Sequence, residues 1–170
     1  QGVDVYLICA TRGEVGEMDP SLLHGFQSIA DRRESELRCA SQRLGLKDVF
    51  FLDYRDSGMP GSADNHHPQA LAAQPVNAVA EGIIRCIRRI KPQVIVTFDP
   101  IGGYRHPDHI AIHQATVQAF NGASDPAFEI DGLAPFKPQK LYFHTMPHTM
   151  LRLAVRLMPL FGQDPRRQGK

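Results

Sequence analysis

His106 and His109 stand three residues apart in the run Gly102-Gly103-Tyr104-Arg105-His106-Pro107-Asp108-His109, with Asp108 between them and Tyr104 just ahead. Near neutral pH an imidazole can do two kinds of chemistry: offer a lone pair to a metal ion, or donate and accept a proton. A zinc ion wants three or four N, O or S ligands, and a catalytic zinc keeps one position for water. One His-x-x-His pair supplies at most two. Spacing alone therefore leaves two readings open, a partial metal site or two surface histidines that fell together by chance. The setting favours the site, because the pair follows an apolar strand-like segment and a flexible Gly102-Gly103, and Pro107 suits a first helical position. His113, four residues beyond His109 on the same helical face, reads as a polar helix residue rather than a ligand.

Strand-like and helix-like segments alternate along the chain, the pattern that specifies a layered α/β domain with a mostly parallel sheet and helices on both faces. The expected strands are residues 3–10, 49–52, 94–98 and 140–144, short runs rich in Val, Ile, Leu or Phe that suit strands covered on both faces. The first long helix is expected to start at Asp31, with Glu34 as a capping-box partner, to bury Leu37, Ala40 and Leu44, and to stop at Gly45. The next follows Pro75 and carries Val76, Val79, Ile83, Ile87 and Ile90 on one stripe before Pro92. In such sheets ligands bind where loops leave the carboxyl ends of the strands. Three loops qualify: residues 11–16, 54–59 and 99–109. All three should crowd one rim.

The chain has 170 residues, 42% of them apolar, enough for a single domain over residues 1–170 with one core. Its 19 basic and 18 acidic residues nearly cancel, so there is no electrostatic footprint for nucleic acid or for an anionic membrane, and a small polar ligand is the expected partner. Cys9, Cys39 and Cys86 are odd in number and far apart, and they read as reduced, buried thiols of a cytoplasmic protein. No run approaches the roughly 20 apolar residues of a spanning helix. Residues 150–158, with Arg152 and Arg156, suggest an amphipathic helix packed on further structure. Both ends read as cut from a longer chain, because residues 3–10 already look like a buried strand and residues 162–167 stop without a closing element.

Four segments, taken in order, resemble the successive motifs of the LmbE and PIG-L family of de-N-acetylases: Thr11-Arg12-Gly13-Glu14, residues 51–59 ending in Arg55-Asp56-Ser57-Gly58-Met59, Thr97-Phe98-Asp99-Pro100, and residues 103–109. The Arg-Asp-Ser-Gly-Met run is most similar to the branch of mycothiol deacetylases and mycothiol conjugate amidases. The resemblance covers nearly the whole chain and implies a Rossmann-like fold, one Zn2+ and hydrolysis of an N-acetyl amide on a glucosamine-type sugar. It implies that His109 binds the metal, that His106 stabilises the developing oxyanion and protonates the leaving amine, and that Asp108 orients a histidine. It further implies that Tyr104 and Arg55 contact the substrate, with Glu14 in a matching rim loop.

Two departures qualify the match. The family opens with a strand ending in His-Pro-Asp-Asp-Glu, which supplies further zinc ligands and the general base, and no such run occurs here. The chain as given is therefore expected to lack its first, central strand, to bind zinc weakly and to catalyse little. The second departure is Arg105, where the family commonly has Gly, placing a bulky cation beside Tyr104 and His106. The rival readings are a noncatalytic sugar-binding homologue and a nucleotide-binding α/β module. The second is disfavoured because residues 11–16 lack G-x-G-x-x-G and no G-x-x-x-x-G-K-[ST] occurs. Neither the substrate nor the oligomeric state is legible.

Overall fold

A computed structural model describes residues 2–145 and 155–161. In chain order the main elements are β1 (Tyr6–Cys9), α1 (Ile29–Leu44), β2 (Asp48–Phe51), α2 (Val76–Ile90), β3 (Val94–Phe98), the single turn α3 (Gly102–Arg105), α4 (Pro107–Gly122) and β4 (Lys140–His144). The alternation expected from the sequence is present. β3 and β4 have the expected bounds, β1 is shorter at both ends, and β2 starts one residue earlier than expected. The expected C-terminal helix over residues 150–158 falls mostly outside the described residues.

β1 pairs with β2 and β3 with β4, each in parallel, as short β-α-β crossovers require. Among the described residues the two pairs do not join into one sheet. Instead β1 and β3 present facing edges to an apolar cavity of about 500 Å³, lined by Tyr6, Leu7 and Ile8 on one side and by β3 on the other, with Ile83 and Ile87 of α2 as its floor.

The core follows from the α2 stripe: Val79, Ile83 and Ile87 are buried as expected, and Ala80 and Ile84 form a second buried row. That row meets Ala115 and Ala119 of α4, whose small side chains let the helices approach closely. Each fully buried Val or Ile contributes about 1.5–3 kcal/mol. Ile8, Leu52 and Ile95 face this core from the strands. Phe51, of opposite parity to Leu52, meets the guanidinium of Arg38 on α1 at 5.2 Å, so α1 covers the other face and helices lie on both sides.

Four expectations are corrected. Among the described residues β3 and β4 are not covered on both faces, since Val96 is 65% and Tyr142 50% exposed on the side away from α2 and α4. α1 starts at Ile29 with Ser28 as its N-cap, the hydroxyl accepting from the Asp31 amide, rather than at an Asp31–Glu34 box; Glu34 is taken by Arg12 and Arg38. Its expected stripe is not core, for Leu44 is 77% exposed and Ser41 is the residue α1 buries. Gly45 ends the helix in the left-handed conformation, as expected. Of the cysteines, Cys86 is buried, Cys9 half-buried and Cys39 exposed, so burial is not common to all three.

Candidate active site

β3 ends at Phe98, and the chain must then turn sharply to enter α4. Asp99 makes that turn: its carbonyl accepts from the Gly102 amide at 2.9 Å and its Oδ1 accepts from the Gly103 amide at 2.8 Å. Gly102 and Gly103 take positive φ (65° and 68°), a region that glycine enters without strain. Gly102 has a second reason to be glycine, because a Cβ there would lie 2.8 Å from Ile110 Cγ1 and 3.1 Å from His109 Cβ. We expect Gly102→Ala to lose about 2–3 kcal/mol in urea unfolding and to push His109 out of place. A loss below about 0.5 kcal/mol would show that the turn has no such constraint.

The two histidines are fixed by different partners, and the difference decides which ring nitrogen carries the proton. His106 is the N-cap of α4, with Pro107 at the first helical position as expected, and its Nδ1 accepts from the Asp108 amide at 3.2 Å. An accepting Nδ1 leaves the proton on Nε2. His109 Nδ1 lies 3.2 Å from the Gly102 carbonyl, which can only accept, so here Nδ1 is the protonated atom and Nε2 keeps its lone pair. A backbone carbonyl on the far nitrogen is the usual anchor of a metal-binding imidazole. Burial holds the His109 pKa below the ordinary histidine value, and neighbouring His106 adds to this, so the ring stays neutral. Phe98 stacks on it at 3.8 Å.

The two imidazole centroids are 4.8 Å apart, and the Tyr104 ring stands edge-on 5.7 Å from His106 and 5.2 Å from His109. Tyr104 is 58% exposed, at the mouth of the cluster. His113 is buried with its Nδ1 2.8 Å from the Phe98 carbonyl, so it ties α4 to the end of β3.

Among the described residues Asp108 holds no histidine ring. Its Oδ2 accepts from the Ser57 amide at 3.2 Å, and burial pushes its pKa up against the opposing pull of that bond. Glu14 Oε1 accepts from the adjacent Asp56 amide at 2.9 Å. The two carboxylates therefore grip consecutive amides of the middle loop from opposite sides, and this joins all three loops at one rim. Ser57 is fully buried, its Oγ accepting from the Ala72 amide, and Asp56 Oδ1 accepts from Gly58. Reading the sequence residue by residue had not singled out Ser57 or Asp56. The signal was the Asp-Ser-Gly run, a composition suited to local turns.

Arg55 is committed on one side, Nη2 to Asp64 Oδ1 at 2.7 Å. With Glu14 it lines a polar cavity of about 520 Å³ that also includes Arg12, Asp53, Gln69 and Gln74. Tyr104, His106 and His109 do not line this cavity, so the structure brings the expected site residues together as two clusters linked through Asp56 and Ser57. Arg12, not foreseen as a site residue, binds Glu34 and Asp53 and lies over Phe51 at 4.4 Å. Arg33 of α1 lies against Gly13 and Gly16, where any side chain would collide with its guanidinium. Glu14 Oε2, Arg55 Nε and Asp108 Oδ1 are buried without a partner among the described residues. Such atoms call for a ligand, water or further polypeptide.

Among the described residues no three of His, Cys, Asp and Glu converge to hold a metal ion. His109 fits one ligand position of a zinc site, but the described residues do not fit a whole one. None of the described helices is long and apolar enough to cross a membrane.

A family model described as PIG-L, GlcNAc-PI de-N-acetylase, matches residues 1–120. The chain belongs to this family. Within the PIG-L family it is 39% identical to a 1D-myo-inositol 2-acetamido-2-deoxy-alpha-D-glucopyranoside deacetylase of Kineococcus radiotolerans, over 96% of this chain and 50% of that protein. A protein of the same description from Streptomyces avermitilis is 38% identical over 91% of this chain and 58% of its own. Among solved structures, the conserved protein TT1542 of Thermus thermophilus matches with a TM-score of 0.58 and 25% identity, over 86% of this chain and 55% of that one. The N,N'-diacetylchitobiose deacetylase of Pyrococcus horikoshii matches with a TM-score of 0.64 and 24% identity, over 90% and 56%, a likeness of fold. The chain thus spans about half the length of the PIG-L relatives it matches.

Proposed function

We propose that this chain forms part of an enzyme that hydrolyses the N-acetyl amide of a glucosamine-type sugar. The observation that carries the reading is the pair of imidazoles with opposite tautomers beside Tyr104, one offering a lone pair and the other an N–H. Amide hydrolysis needs both functions. A tetrahedral intermediate places negative charge on the former carbonyl oxygen, and a donor aimed at that oxygen is often worth about 3–4 kcal/mol. His106 Nε2–H supplies such a donor. Proton transfer to the leaving amine through a charged His106 would put a proton on Nδ1 and break the cap bond to Asp108, so the geometry supports the oxyanion role more directly.

Zinc dependence is part of the proposal. His109 would contribute one ligand, and the others must come from residues outside the described set, because tight binding needs at least three. The gap between β1 and β3 suits one more parallel strand, whose carboxyl end would open on the same rim. Glu14, Arg55 and the polar cavity between them suit sugar hydroxyls. A small N-acetylated sugar is the proposed substrate, and the cytoplasm the proposed location. The test is acetate release by the full-length protein from 1D-myo-inositol 2-acetamido-2-deoxy-α-D-glucopyranoside and N,N'-diacetylchitobiose. Release abolished by chelator and restored by zinc is the expected result. No release from any N-acetylglucosaminyl compound by zinc-loaded protein would overturn the reading.

A further inference from the structure

Arg105 sits between Tyr104 and His106 with φ 68°, in the left-handed region, directly after a turn in which the other positive-φ positions are glycine. Glycine would meet the backbone demand here without strain. An arginine at this position is held against a conformational preference, and its side chain is exposed. Each carboxylate of its own loop has one oxygen on a backbone amide, Asp99 Oδ1 on Gly103 and Asp108 Oδ2 on Ser57, and Asp108 is buried. Among the described residues no carboxylate forms an ion pair with it, whereas Arg55 has one and Arg12 and Arg85 have two each. The result is an uncompensated guanidinium at the mouth of the cluster, flanked in sequence by the exposed tyrosine and the N–H-bearing histidine.

We propose that Arg105 is a specificity-determining residue that selects N-acylated amino sugars carrying an anionic substituent, a phosphate or a carboxylate. This rests on the deacetylase reading above. A guanidinium fork matches either anion with two parallel N–H···O bonds, and a backbone held left-handed by the turn limits the positions its stem can reach.

The experiment compares wild type, Arg105→Gln and Arg105→Lys of the full-length protein, loaded with zinc. The probes are N-acetylglucosamine, its 1-phosphate and 6-phosphate, and N-acetylmuramic acid, with kcat/KM and calorimetric binding read in parallel. The expected result is a wild-type preference of tenfold or more for at least one anionic probe. Arg105→Gln should reduce that preference at least tenfold, and Arg105→Lys should restore part of it. The phosphate and carboxylate arms tell the two anions apart. Equal handling of neutral and anionic probes by wild type would overturn the proposal while leaving deacetylation standing. So would a Gln variant that lowers all probes alike. Acetate release from none of them would count against the deacetylase reading, and Arg105 is then judged on binding, where equal affinity for neutral and anionic probes overturns it.

Discussion

In the full-length protein, His106→Asn lowers kcat by about 10²- to 10³-fold, the usual effect of removing one oxyanion donor, and leaves zinc content and stability close to wild type. The choice of asparagine matters because His106 has two jobs. Its Nδ1 caps α4 through the Asp108 amide, and asparagine is among the strongest N-caps. The cap therefore survives, while the Nε2–H donor is lost. His106→Ala removes both and costs about 1 kcal/mol of stability besides. His109→Ala should behave differently, losing zinc together with activity. Kinetics, metal analysis and urea unfolding on the three variants check this. A His106→Asn enzyme within threefold of wild-type kcat would remove the residue from the chemistry.

Arg88→Ala destabilises the fold by about 3–5 kcal/mol, the scale expected when one partner of a buried, charged network is removed. Arg88 is 2% exposed on α2, and among the described residues its hydrogen bonds go to backbone carbonyls. Its Nε donates to the Ala123 carbonyl at 3.0 Å, Nη2 to Asp125 at 2.7 Å, and Nη1 to Phe128 and, at 3.3 Å, to Leu133. Carbonyl dipoles at the C-terminal end of α4 and in the segment beyond it form the counter-charge. Truncation leaves those acceptors without the donor and opens a cavity between α2 and α4. For a chain of this size the melting temperature should fall by roughly 10 °C. Arg88→Lys, a point charge that cannot span four carbonyls, should lose less than Ala but more than about 1 kcal/mol. Hydrogen exchange over residues 123–133 should rise in both. A loss under 1 kcal/mol for Arg88→Ala would mean that the cage is not structural.

Much of this was legible in the sequence where local and global preferences agree. The α2 stripe, the Gly45 stop, Pro107 at the start of α4 and the bounds of β3 and β4 all follow from periodicity and turn chemistry. The expected partners of buried polar groups were less legible. Arg88 looks like one more surface cation near the end of a basic helix, because nothing in sequence spacing reveals carbonyls some 35 residues away converging on it. The resemblance implies that Asp108 orients a histidine, and nothing in the spacing reveals that its Oδ2 accepts from the Ser57 amide, a contact between loops far apart in the chain. The α1 stripe of Leu37, Ala40 and Leu44 failed for the opposite reason: the helical spacing is right, but Leu37 is only half-buried and Ala40 and Leu44 are exposed. Positive φ at Arg105 was likewise invisible, since arginine gives no hint of a left-handed backbone.

The claim beneath all of this is that residues 106 and 109 leave the same ring nitrogen, Nε2, free in opposite protonation states, an N–H in one and a lone pair in the other. Long-range ¹H–¹⁵N correlation on the metal-free full-length protein at neutral pH reads the two tautomers directly. The expected spectrum shows the His106 proton on Nε2 and the His109 proton on Nδ1. A proton on His109 Nε2, or the same tautomer in both rings, would contradict the division of labour proposed for them.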